Sequence, residues 1–101
     1  VAGNGLSIPF AATISAVTMQ ANTTGSIVVD IWKDSYANFP PTVADSICGS
    51  AKPTITSSNK SQNTTLTGWT TSISAGDILY FNVDSVSSIS NVVLTLTVTK
   101  A

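Results

Sequence analysis

The sequence contains no histidine, no glutamate and no arginine, and it has a single cysteine. Without histidine, the Ser-His-Asp and Cys-His arrangements of hydrolases and most zinc sites are excluded. Cys48 has no second cysteine with which to form an intrachain disulfide, so we interpret it as a small buried hydrophobic residue near a turn. The remaining chemistry is that of hydroxyls, amides, aromatic rings and a few carboxylates.

Charge is scarce as well, because five acidic residues and four lysines make up 9% of the chain. Nucleic-acid binding, which needs basic residues to replace phosphate counterions, is therefore disfavoured. No apolar run approaches the roughly 20 residues that cross a bilayer, so we expect no membrane insertion. The acidic residues also lack the spacing of a calcium loop, and we expect neither a metal nor a cofactor.

Carboxylates and serines that resemble catalytic groups have simpler interpretations. Asp30 and Asp34 are the acidic pair closest in sequence, and we expect both on the solvated surface rather than in a glycosidase cleft. Ser57 and Lys60 match the Ser-x-x-Lys spacing of penicillin-recognising enzymes, but they lie in a turn-rich stretch where that motif needs a helix. We therefore predict that the chain is not an enzyme.

Serine, threonine and apolar residues are abundant, with about thirty Ser and Thr beside 43% hydrophobic residues. Residues 92–99 alternate apolar and Thr side chains with period 2, which predicts a strand. A second strand begins after the Gly76-Asp77 turn signal, and a third places Ile27, Val29 and Ile31 on its inner face. These patterns predict an all-β fold, an antiparallel β-sandwich of the jelly-roll type with seven or eight strands.

Other segments are assigned from turn residues. Polar turns are predicted at residues 22–25, 58–63 and 85–90, and one helical turn at residues 42–48 with Thr42 as its cap. Trp69 is predicted to fill one end of the core. The further strands are predicted at residues 6–10, 12–20, 54–57 and 64–66, the phase of the second being ambiguous.

Apolar side chains on the outer strand faces are informative. Trp32 lies opposite the inner face of its strand, and Val28, Ile78 and Tyr80 are likewise predicted to point outward. Because the chain has little charge, we place Val28, Ile78 and Tyr80 at an interface between copies of the chain. The alternative is scattered surface hydrophobes, which are common on monomers.

A candidate ligand site consists of Trp32, Tyr36, Asn38 and Phe39, which come from a strand end and the loop after it. Sugar recognition stacks an apolar sugar face on aromatic rings while amides bond the hydroxyls. Two other uses remain open. The same residues can pack the loop against the sheet, or they can fill a subunit interface.

Several motifs together resemble the C-terminal domains of tail fibre proteins from tailed bacteriophages. The most specific are Thr67-Gly68-Trp69 and Ala75-Gly76-Asp77. The others are Ile8-Pro9-Phe10, Gly25-Ser26-Ile27, Asp30-Ile31, Pro40-Pro41-Thr42, Asp45-Ser46-Ile47, Lys52-Pro53 and Leu94-Thr95-Leu96.

The resemblance implies a β-sandwich tip of a virion tail fibre, assembled as a homotrimer, that attaches the particle to a bacterial surface polysaccharide or another receptor. Residues 1–101 would then be one C-terminal domain of a longer chain, with residues 1–5 as a hinge to a stalk. Two alternatives remain, namely a structural knob that trimerises the fibre without contacting a receptor, and a carbohydrate-binding module of a polysaccharide-degrading enzyme.

Overall fold

A computed structural model describes residues 2–100, with side chains from Gly5 onward; Val1 and Ala101 lie outside the described residues. The fold is built mostly from antiparallel β-strands, as the sequence predicts, and the described residues contain no α-helix. The six strands are β1 (Ala2–Ile8), β2 (Ala12–Asp34), β3 (Thr54–Asn63), β4 (Ser72–Ile73), β5 (Asp77–Ser87) and β6 (Val92–Lys100). Consequently, no helix in the described part of the chain is long and apolar enough to cross a bilayer.

The 23-residue strand β2 is the centre of the fold. Its first half pairs with β6, its second half pairs with β5, and β3 lies along its other edge. The change of partner occurs near Asn22, whose side chain bonds the backbone N–H of Asn91 at 3.0 Å and the hydroxyl of Ser90 at 3.1 Å. Strand β1 then adds to the far edge of β5.

The predicted count of seven or eight strands is therefore replaced by six. Residues 22–25 do not form a turn, because β2 runs through them while it exchanges β6 for β5. Residues 58–63 are also extended, as part of β3, although their polarity predicted a turn. No strand covers residues 64–66, where the side chain of Asn63 accepts hydrogen bonds from the backbone N–H groups of Thr65 and Leu66. The predicted strand at residues 6–10 is β1, which includes residues 2–5 and ends before Pro9.

The ambiguous phase of residues 12–20 has a structural cause. The pairing of β2 with β6 shifts register between Ile14 and Ala16, so one residue is inserted and the side chains after it change face. Ile14 before the shift and Val17 and Met19 after it are consequently all buried. A strict period of two cannot describe a strand that contains such a bulge.

The core gathers side chains from both halves of β2, including the predicted inner residues Ile27, Val29 and Ile31. Trp69 packs in this core, as predicted, and donates a 2.8 Å hydrogen bond from Nε1 to the carbonyl of Ala51. Leu94 and Leu96 of β6 pack against the same apolar cluster. Complete burial of an aliphatic side chain such as Ile31, which is 0% exposed, contributes about 1.5–3 kcal/mol, so this cluster stabilises the fold strongly.

Candidate ligand-binding surface

Three aromatic rings lie together on the face of β5 and β2 that is opposite the core. Trp32 of β2 and Tyr80 of β5 are directly paired across the two strands. The ring of Phe39 meets Tyr80 edge to face, with centroids 5.5 Å apart and planes at 87°. Gly5 of β1 is the other cross-strand neighbour of Tyr80. The strands thus fix two of the rings, and the loop after β2 adds the third.

Tyr36 and Asn38 form a single 3-10 turn with Ala37, directly before Phe39. Tyr36 is 86% exposed, and Phe39 is 47% exposed although its ring contacts Tyr80. The carboxamide of Asn38 donates a 3.3 Å hydrogen bond to Ser35 Oγ. We call Trp32, Tyr36, Asn38, Phe39 and Tyr80 the aromatic surface.

The structure therefore brings two predicted ligand residues, Trp32 and Phe39, next to one predicted interface residue, Tyr80. Tyr36 and Asn38 lie in the turn directly before Phe39. Ile78 lies two residues before Tyr80 on the same face of β5, where it pairs with Asp34 and is half-buried. Val28 lies four residues before Trp32 on β2, opposite Ser85, and is also half-buried. The interface role of Val28, Ile78 and Tyr80 stays a prediction, and so does the ligand role of the aromatic surface.

Asp30 does not lie on the solvated surface, and that prediction is wrong. Its side chain shares a strand face with Trp32, but it is only 1% exposed. Oδ1 accepts hydrogen bonds from Ser46 Oγ at 2.6 Å and from the backbone N–H of Ile31 at 2.9 Å, while Oδ2 accepts one from Trp32 Nε1 at 3.1 Å. A buried carboxylate needs such partners because it has lost its hydration.

Residues 46–53 cover Asp30. They continue along the same edge of β2 as β3, over the last residues of β2, which β3 does not reach. Ile47 N–H donates to the carbonyl of Ile31 at 2.9 Å, and the N–H of Val29 donates to the carbonyl of Pro53 at the same distance. This segment follows a 3-10 turn, Val43–Asp45. The helical turn predicted over residues 42–48 is shorter in the structure, because Ser46 pairs with Trp32 instead of continuing it. Asp45 accepts a 2.8 Å hydrogen bond from the backbone N–H of Thr42 at the start of this short turn.

Lys52 supplies the positive charge near Asp30. Its Nζ lies 3.7 Å from Asp30 Oδ2 and 2.6 Å from Asp84 Oδ2, and Asn82 donates to the other oxygen of Asp84. The hydrogen bond to Asp84 raises the pKa of the Lys52 ammonium above its ordinary 10.5. The same bond lowers the pKa of Asp84 below its ordinary 3.8, with the Asn82 bond acting in the same direction.

Cys48 is fully buried, as the sequence predicts. Burial raises the pKa of its thiol to about 12, and the charge of the nearby Asp30 carboxylate adds to this rise. A thiol held neutral is a poor nucleophile. Its packing with Ile31 and Ile47 in the apolar core gives it a structural role.

Sequence reasoning found the aromatic residues but missed the polar network beneath them. The available signal was the position of Asp30 within the apolar run Val28, Val29, Ile31 and Trp32, where a charged residue indicates a buried partner. Lys52, Ser46 and Asp84 carried no comparable signal, since each is far from Asp30 in the sequence.

No cluster of three or more His, Cys, Asp or Glu side chains with metal-binding geometry is present among residues 2–100. Comparison of the chain with protein families, curated proteins and solved structures gave no match.

Proposed function

We propose that this chain is the receptor-binding tip domain of a bacteriophage tail fibre, which attaches the virion to a polysaccharide or another receptor on the bacterial surface. The observation that carries the proposal is the aromatic surface. Its exposed groups are rings, a carboxamide and phenol hydroxyls, which recognise ligands by stacking and hydrogen bonding. The motif resemblance to tail fibre C-terminal domains points to the same role.

The architecture in this proposal is a β-sandwich of the jelly-roll type. Support comes from the way β2 and β3 continue through both halves of the sheet while β6 lies beside one half and β5 beside the other. Leu96 on β6 and Leu79 on β5 belong to a common apolar cluster. Two sheet regions that bury side chains between them fit the sandwich arrangement.

Self-association into a homotrimer is the second part of the proposal, and an apolar cleft of about 210 Å³ supports it. The cleft lies between β6 and the β1–β5 pair, and its walls include Leu6, Ile8, Phe81, Leu94, Leu96 and Val98. Leu6 is 51% exposed, and Val98 is also exposed. Each of β1 and β6 pairs on one edge only within the described residues, and Leu6–Ile8 and residues 92–99 carry no charge that would repel a second copy.

The assembly is tested by light scattering coupled to size-exclusion chromatography, where we expect three times the mass of one chain. Leu6→Lys places a charge at the cleft and is expected to give monomers that keep their circular dichroism spectrum. Val43→Lys changes an exposed aliphatic residue outside the cleft, 68% exposed against 51% for Leu6, and serves as the control. A wild-type monomer at all working concentrations contradicts the trimer.

The receptor role is tested by adhesion of the fluorescently labelled chain to a panel of bacterial strains. We expect saturable binding to susceptible strains, and we expect Tyr36→Ala to weaken it without changing the unfolding midpoint, because Tyr36 packs against little. Val93→Ala, at an exposed site on β6, is the control. A trimer that adheres to none of the strains would support the alternative of a structural knob. The apolar cleft is consistent with that alternative, because it explains self-association without a receptor.

A further inference from the structure

The charges around the aromatic surface bear on the kind of ligand it accepts. Asp34 lies two residues after Trp32, on the same face of β2. Asp45 directly precedes Ser46, which is bridged to Trp32. With Asp30, which accepts the hydrogen bond of the indole N–H, three acidic residues lie on or next to this part of the molecule.

Within the described part of the chain, no lysine near the aromatic surface has an ammonium group left to bind an anionic ligand. Lys52 is paired with Asp84 at 2.6 Å and with Asp30 at 3.7 Å. Lys33 donates to the carbonyl of Ser72 at 2.6 Å and lies 3.8 Å from Asp77. The other two lysines, Lys60 and Lys100, pair with the first half of β2, whereas Trp32 belongs to the second half.

Acidic polysaccharides need unpaired cations for their carboxylates or phosphates, and arginine and lysine normally supply them. At the aromatic surface an acidic chain would instead approach Asp34 and Asp45. Within the aromatic surface, the Tyr36 and Phe39 rings and the Asn38 carboxamide are exposed, and the Trp32 and Tyr80 rings are half-buried. These suit the apolar faces and hydroxyls of uncharged sugars.

We infer that the aromatic surface binds an uncharged polysaccharide and discriminates against acidic ones. This inference rests on the proposed receptor role and names the ligand class for the same surface. The indole N–H of Trp32 is already bonded to Asp30, so this half-buried side chain offers a ligand its ring and not its N–H. Hydrogen bonds to sugar hydroxyls then come from Asn38 and from the phenols of Tyr36 and Tyr80.

The test is an array of purified bacterial surface polysaccharides, sorted beforehand into neutral and acidic sets, probed with the labelled chain. We expect binding to members of the neutral set, with affinity that changes less than about twofold between 50 and 500 mM salt. Phe39→Ala should weaken this binding roughly tenfold, as loss of a stacking contact does. Val93→Ala, which removes an exposed apolar group elsewhere, should leave it unchanged.

Binding confined to acidic polysaccharides, or binding that falls steeply with salt, would overturn the inference. So would an array with no neutral polysaccharide bound. The proposed receptor role fails separately, since it requires adhesion to intact bacteria: adhesion without binding to neutral polysaccharide leaves that role standing and removes only the ligand class named here.

Discussion

The indole Nε1 of Trp32 donates a 3.1 Å hydrogen bond to Oδ2 of Asp30, two residues earlier on the same face of β2. This bond connects the aromatic surface to a buried polar network. Asp30 in turn accepts a hydrogen bond from Ser46 at 2.6 Å and attracts Lys52, so the segment along the sheet edge and the Trp32 ring of the proposed binding surface share one anchor. A change at Asp30 should therefore affect both stability and binding.

Asp30→Asn is expected to lower the free energy of unfolding by about 2–4 kcal/mol. The carboxamide keeps the size of the side chain but loses its charge, and its NH₂ group would face donors such as Ser46 Oγ. Urea denaturation followed by tryptophan fluorescence measures the change. Asp34→Asn is the control, because Asp34 is half-buried and accepts a 2.8 Å hydrogen bond from the backbone N–H of its neighbour Ser35. Equal losses in the two variants would contradict the role of Asp30 as an anchor.

Alternation of apolar and polar residues with period 2 predicts part of the fold, but it does not predict the polar network around Asp30. It identifies the two faces of a strand, and it correctly placed Ile27, Val29 and Ile31 in the core. It does not report what lies over the opposite face. The alternation therefore predicts a solvent-exposed Asp30. In the structure, residues 46–53, which are distant from Asp30 in the sequence, cover it.

Turn prediction failed where polar residues occur in strands. Lys60 and the Ser and Asn residues around it resemble a turn, but they belong to β3. Within residues 2–100 this strand pairs on one edge only, and it exposes many of its side chains. Polar residues are suited to such an edge strand. The extended backbone at residues 22–25 depends on β6 and β5 meeting beside β2, which local sequence does not encode.

Gly25→Ala should destabilise the fold by about 1–3 kcal/mol, because an added Cβ would overlap the carbonyl oxygen of Ser87 and lie 2.8 Å from Cγ1 of Ile89. The obstacle is backbone of β5 at the point where β2 changes partner. Gly68→Ala is the comparison: nothing lies within 4 Å of its Cβ position, so the loss of about 1 kcal/mol comes from its positive φ alone. Thermal unfolding that ranks Gly68→Ala as the more damaging change would contradict the close approach at Gly25.

The pair of Lys52 and Asp84 predicts a defined pH dependence. The folded-state pKa of Asp84 is lowered, so its contribution is present above about pH 3.8 and is lost as the pH falls through the folded value. The folded-state pKa of Lys52 is raised, so its contribution is present below pH 10.5 and is lost as the pH rises through the folded value. The stability difference between wild type and Asp84→Asn should therefore be greatest between these limits and shrink beyond both. A difference that is constant from pH 3 to 11 would rule out the ion pair as its source.

Cys48 should resist thiol reagents in the folded chain. Its side chain is inaccessible, and burial raises its pKa to about 12, so at pH 8 almost no thiolate is present. We expect no reaction with a disulfide reagent such as Ellman's reagent over an hour, and one equivalent of reaction after denaturation in guanidinium. Rapid labelling of the native chain would show that residues 46–53 open readily from the edge of β2.

Gly5→Ala should weaken ligand binding through Tyr80. A Cβ at residue 5 would lie 2.8 Å from Cε1 of Tyr80, so the ring must move away from its contact with Phe39. The obstacle is a side chain that can rotate, and the stability cost should stay near 1 kcal/mol. Adhesion to susceptible bacteria, measured with the labelled chain, should fall several-fold.

A double-mutant cycle distinguishes this mechanism from a general loss of structure. If Gly5→Ala acts by separating Tyr80 from Phe39, its effect on binding should shrink when Phe39 is already alanine, with a coupling of about 0.5–1.5 kcal/mol. Additive effects would mean that the Tyr80 ring does not act through Phe39. Unchanged adhesion in the Gly5→Ala variant would remove Tyr80 from the binding surface altogether.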